Sequence, residues 1–155
     1  MNYLIHNAEL CCRSAAEASH ERLVIYMIPI QQTRTGSNGN CFEASIASLL
    51  GLPIEQVPDL GAYEDNGLWM GKLNEWLAQK GLSYFESRIA RNELDDFFSD
   101  KDFYHVLIGP TERSKRILHA VVGRKGKMVH DPHPDNIGVL DEETVRMGVI
   151  VSQCI

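Results

Sequence analysis

Apolar positions change their period about half-way along the chain. In CFEASIASLLG, Phe42, Ile46, Leu49 and Leu50 fall at helical spacing with small residues between them, and Gly51 follows as a C-cap. A second stripe, Trp69, Leu73, Trp76 and Leu77 in LWMGKLNEWLAQKG, predicts another amphipathic helix with both tryptophans in the core. Beyond Gly81 the pattern shortens. LSYFESRI, FYHVLIGP, ILHAVVGR, KMVHDP and RMGVIVSQ read as strands, interrupted by a short helix over NELDDFFSD with Asn92 as its cap. Helices first and strands after predict an α+β domain, a helical front half packed on an antiparallel sheet.

Upstream, residues 8 to 22 suit an Ala- and Glu-rich helix that runs into a strand-like stretch, Leu23 to Ile28. The phrase MIPIQQ at Met27 is a natural start for the domain, so residues 1–26 read as an extension and 27–155 as the domain itself. Thr33 to Asn40 has no apolar member and is a loop. A second loop, LPIEQVPDLGAYEDNG, separates the two helices.

Composition narrows the functional classes. At 155 residues, with 44% hydrophobic and 23% charged, the chain suits one globular domain. A net charge of −6 argues against binding nucleic acid, which needs clustered Lys and Arg to displace counterions from phosphates. The basic residues from Arg113 to Arg116 and from Arg124 to Lys127 read as solvated turns, and the acidic Asp95, Asp96 and Asp100 as a solvated face. No stretch approaches the ~20 apolar residues of a membrane span, and the N-terminus lacks a signal-peptide layout, so no membrane role and a cytoplasmic location are expected. Four cysteines with no Cys-x-x-Cys pair predict free thiols without a thiolate zinc site.

One of those thiols has a distinctive address. Cys41 opens the first helix, where free backbone N–H groups and the helix dipole favour a thiolate. Such a nucleophile needs a histidine to exchange protons with it and a carboxylate to orient that histidine. His119 lies inside the apolar run ILHAVVG, where a bare imidazole is costly without a polar partner. If Arg124, Lys125 and Gly126 form a three-residue hairpin loop, His119 faces Asp131 directly on the next strand, with Cβ atoms about 5 Å apart. A two-residue loop would turn Asp131 to the opposite face. A cysteine at a helix start is more often a small buried hydrophobe, and a strand histidine is more often a satisfied core residue. The joint order of Gly/Asn loop, helix-opening Cys, strand His and Asp-Pro argues for catalysis instead. A metal site at His130, Asp131, His133 and Asp135 is the weaker reading, because a Pro-containing loop points these side chains apart.

This order resembles the papain-like cysteine peptidase superfamily, above all the compact peptidase domains that remove double-glycine leaders from bacteriocins. The matching pieces are Cys41-Phe42-Glu43-Ala44, His119-Ala120-Val121-Val122 and Asp131-Pro132, spanning roughly residues 29 to 135. The resemblance implies a papain-like fold, a Cys41-His119-Asp131 triad, a peptide or protein substrate, no cofactor, and a bacterial or phage setting. In that family a Gln before the Cys donates to the oxyanion. Here Gln32 stands eight residues farther from Cys41 than adjacency would give. The phrase Gly39-Asn40-Cys41-Phe42 also resembles the loop of ovarian-tumour-type deubiquitinases, which makes Asn40 a second candidate donor. The expected activity is hydrolysis of a peptide, isopeptide or other amide bond through a thioester. A degenerate binding or regulatory module and an acyltransferase using the same triad are the alternatives.

Overall fold

In the computed structural model, which describes residues 26–61 and 67–153, both predicted helices form: α1 (Cys41–Leu50) and α2 (Trp69–Ala78). Every residue of α1 from Glu43 to Ser48 is buried, which its small side chains permit by letting the helix axis approach the sheet closely. Ser48 serves two partners: its hydroxyl donates to the Ala44 carbonyl and accepts the Ile30 N–H. Gly51 ends the helix in the left-handed conformation (φ 63°), with its N–H on the Ala47 carbonyl. In α2, Leu73 and Leu77 are fully buried, and Trp69 and Trp76 pack partly buried against the same core.

The strands β1 (Leu82–Ala90), β2 (Tyr104–Gly109), β3 (His119–Arg124), β4 (Lys127–His130) and β5 (Thr144–Ser152) form one sheet in the order β1-β5-β2-β3-β4. All neighbours are antiparallel. Alternate residues face opposite sides. Tyr84, Val106 and Ala120 pack under α1 and α2, while Leu107, Val121, Val145 and Met147 meet Leu94 and Phe98 on the other side. The sheet is therefore covered on both faces, which explains why β3 reads as a continuous apolar run. Ala120, Ile108, Arg146 and Arg88 stand opposite one another in β3, β2, β5 and β1 and share the helix-bearing face. Tyr84 crosses β5 over Gly148, where a Cβ would fall on the tyrosine hydroxyl.

Three expectations change. Asn92 lies within a single 3-10 turn (Arg91–Glu93), and Glu93 occupies the cap position of α3 (Leu94–Phe97) without a side-chain bond. Residues 26–28 are irregular rather than strand. The remainder of the run from Leu23, the helix expected over residues 8 to 22 and nearly all of the 1–26 extension lie outside the described residues. Third, the β3–β4 hairpin closes with two residues, not three: Lys125 (φ 53°) and Gly126 (φ 74°) form the tight turn and Arg124 pairs with Lys127.

That tighter turn alone would send Asp131 to the wrong face. A β-bulge reverses the error. Gly123 pairs with Met128 but Val122 pairs with His130, so Val129 is an extra, unpaired residue on β4. It restores the parity, and Asp131 emerges from the end of β4 on the side of His119. No helix among the described residues is long and apolar enough to cross a membrane.

Candidate active site

The loop before Cys41 is held by Asn40. Its side-chain Oδ1 accepts the N–H groups of Thr33 (3.0 Å) and Arg34 (2.9 Å), its Nδ2 donates to the Thr33 hydroxyl (2.9 Å), and its backbone N–H reaches the Arg34 carbonyl. Asn40 is buried, and these bonds use its amide as the staple of the loop. Of the donors of Asn40, the backbone N–H and one hydrogen of Nδ2 are engaged inside the loop. Arg34 then ties the loop to Asp59 through two parallel bonds of 3.0 and 2.9 Å. Asn40→Ala should cost about 2 kcal/mol in a urea unfolding curve, because it leaves two N–H donors and a hydroxyl without their partner. An unchanged midpoint would remove the staple from the account.

Cys41 follows as the first residue of α1, where the N–H groups of Cys41 and Phe42 have no intrahelical acceptor. The Ala120 N–H points at its sulfur, with N to Sγ 3.4 Å. His119, the first residue of β3, lies near enough to Cys41 for the thiol to raise its pKa, and places Nε2 2.7 Å from Asp131 Oδ1. With Nε2 taken, Nδ1 is the nitrogen left for Cys41. Asp131 is itself fixed: Oδ1 accepts the His133 N–H and Oδ2 the Gly138 N–H, each at 2.8 Å.

The electrostatics agree with the geometry. Burial acts to lower the His119 pKa, but the bonds to Asp131 and Cys41 and their negative charge outweigh it and raise the value to about 9. The imidazolium is then the favoured form at neutral pH. Burial acts to raise Asp131, but the bonds from His119 and from the His133 and Gly138 amides hold its carboxyl below the usual range.

Cys41 and His119 lie in a groove of about 560 Å³ between the helical half and the sheet. Gln32 lines it, with Nε2 donating to the Arg34 carbonyl at 2.6 Å, which leaves one amide hydrogen uncommitted. Gln32 Oε1 is buried without a protein partner among the described residues. Phe42 and Trp69 form one wall, ring centroids 5.2 Å apart and edge to face. Glu43 also lines the groove; burial raises its pKa against the opposing bonds of its own and the Leu60 N–H.

The histidines and aspartates that suggested a metal turn to separate tasks. His130 Nε2 lies 2.9 Å from the Ile30 carbonyl, Asp131 serves His119, and His133 Nδ1 is 2.9 Å from Arg113 Nη1. Among the described residues no group of three such side chains is placed to hold a metal. Sequence reasoning took His133 only as a candidate metal ligand and missed its place beside His119, whose ring it meets nearly at right angles 6.1 Å away. The Asp-Pro-His order held the signal, because an Asp accepting the N–H two residues on is a recurrent turn. Compared with known proteins, the chain matches no family model, no curated protein and no solved structure.

Proposed function

We propose that this chain is a papain-like thiol hydrolase of peptide, isopeptide or other amide bonds. One observation carries the reading: Cys41 at a helix N-terminus and His119, itself bonded to Asp131, stand together in one groove. The Cys41 thiolate attacks the substrate carbonyl carbon, and the π pair moves to oxygen. The N–H groups of Cys41 and Phe42 and the free hydrogen of Gln32 Nε2 are the donors for that oxyanion. The imidazolium gives its Nδ1 proton to the leaving nitrogen as the C–N bond breaks. Water, deprotonated by the now neutral His119, attacks the thioester, and the thiolate departs. Asp131 holds the ring and its tautomer throughout.

The test is alkylation by iodoacetamide, read at each cysteine by mass spectrometry between pH 5 and 9. Cys41 should react at pH 6 about tenfold or more faster in the parent than in His119→Ala. Equal rates in the two proteins at every pH would sink the thiol reading and leave a binding module that keeps the fold.

A further inference from the structure

The groove has a feature that proton transfer does not use. Away from His119 its floor ends at Arg146 and Glu86, both of which line it. Glu86 Oε2 accepts Arg146 Nε and Nη2, each at 2.7 Å, and Glu86 Oε1 accepts the hydroxyl of fully buried Tyr84 at 2.8 Å. Both carboxylate oxygens are thereby engaged in fixing the network. The basic partner is open. The Arg146 side chain keeps 30% of its exposure, and Nη1 has no partner among the described residues. A guanidinium fixed at Nε and Nη2 offers a pre-oriented edge, and a planar carboxylate is the group that matches it.

Its position relative to the nucleophile follows from the sheet. Ala120, whose N–H touches Cys41 Sγ, pairs with Ile108, and Ile108 pairs with Arg146. Two strand spacings place Arg146 about 10 Å along the sheet from Ala120, which an extended peptide covers in about three residues. Ile108 lies between, opposite the Phe42 and Trp69 wall, and makes the intervening stretch apolar. At the other end, Arg113 is held through Nη1 alone, by His133 and Asp135, so its guanidinium is less firmly aimed than that of Arg146.

We propose that Arg146 is a specificity-determining residue that docks a substrate carboxylate about three residues from the bond attacked by Cys41, beyond an apolar side chain seated against Phe42 and Trp69. Glu86 and Tyr84 are positioning residues that aim it. The proposal rests on the peptide-hydrolase reading for the nature of the occupant and takes nothing from the turnover itself.

The experiment is therefore binding to the Cys41→Ala protein, which needs no reactive thiol. Fluorescein-labelled, acetylated heptapeptides carry Leu, with Glu or Gln placed two or three residues to either side; a further pair ends in a free or an amidated C-terminus, to separate side-chain from terminal carboxylate. Fluorescence anisotropy should show the Glu or free-acid member of one pair binding about tenfold tighter than its neutral counterpart. In Cys41→Ala/Glu86→Gln/Arg146→Gln, which leaves no lone buried charge, that ratio should fall to about one while the circular dichroism spectrum stays unchanged. A ratio of one in every pair with Cys41→Ala, including a set in which nothing binds, overturns the proposal, as does a ratio that survives the triple variant. Inert Cys41 in the alkylation assay would remove the hydrolase reading without touching this ratio, so the two failures are told apart.

Discussion

Asp131→Asn should lower stability by about 3 kcal/mol and abolish rapid alkylation of Cys41 at pH 6. The side chain it replaces is buried and accepts three donors, His119 Nε2 and the His133 N–H at Oδ1 and the Gly138 N–H at Oδ2. Asparagine has the same shape but only one accepting oxygen. Its amide nitrogen must face either Gly138 or the His119 and His133 pair, donor against donor, whichever way the group is turned. The charge is lost as well, so one of the two groups that together outweigh the burial of the imidazolium is gone, and the His119 pKa falls from about 9.

The sign with pH follows from the depressed Asp131 pKa. The carboxylate's contribution is present above its ordinary 3.8 and is lost as pH falls below that value through the folded one, so parent and variant should converge in strong acid. Chemical unfolding at pH 7 and pH 3, with iodoacetamide rates on the same samples, measures both effects. A variant that unfolds with the parent at pH 7 and alkylates as fast would remove Asp131 from both roles.

How much of this was legible in the sequence depends on the range of the interaction. Helix α1 and its end at Gly51 are written locally, in spacing and in one left-handed residue, and formed as read. The His119–Asp131 contact was anticipated through a hairpin that closes differently. Lys125-Gly126 makes a tighter turn than composition suggested, and Val129 compensates as a bulge that no period-2 pattern announces. The face was right because two single-residue differences cancel. The part that Asn40 plays in holding its loop was not visible, since its bonds to Thr33 and Arg34 require knowing that the loop folds back on itself. The Tyr84-Glu86-Arg146 network was not visible at all, since it depends on β5 entering the sheet between β1 and β2. Long-range strand order is the information that a single sequence encodes least directly.

His105 supplies the other large effect, and it lies away from the groove. The ring is fully buried on the second face of the sheet, stacked on Phe98 with centroids 5.1 Å apart, and Nδ1 is 3.3 Å from the Phe103 carbonyl. Nε2 has no partner among the described residues, and it fills the space where a Cβ on Gly123 would sit. Burial drives its pKa down to about 4, opposed only by the Phe103 carbonyl. Because the folded value is depressed, the unfolded chain binds the extra proton first, and stability is lost as pH falls from the ordinary 6.5 toward 4. At about 1.4 kcal/mol per pKa unit, the loss between pH 7 and pH 5 is about 2 kcal/mol, growing to about 3 kcal/mol by pH 4. In His105→Phe the ring stacking survives and the titration does not, so the unfolding free energy of the variant should fall less over the same interval by that amount. Parallel curves for parent and variant from pH 7 to pH 4 would mean that His105 takes up its proton without unfolding, through a partner near Nε2, and the aromatic cluster of Phe97, Phe98 and Phe103 would then have to open to admit it.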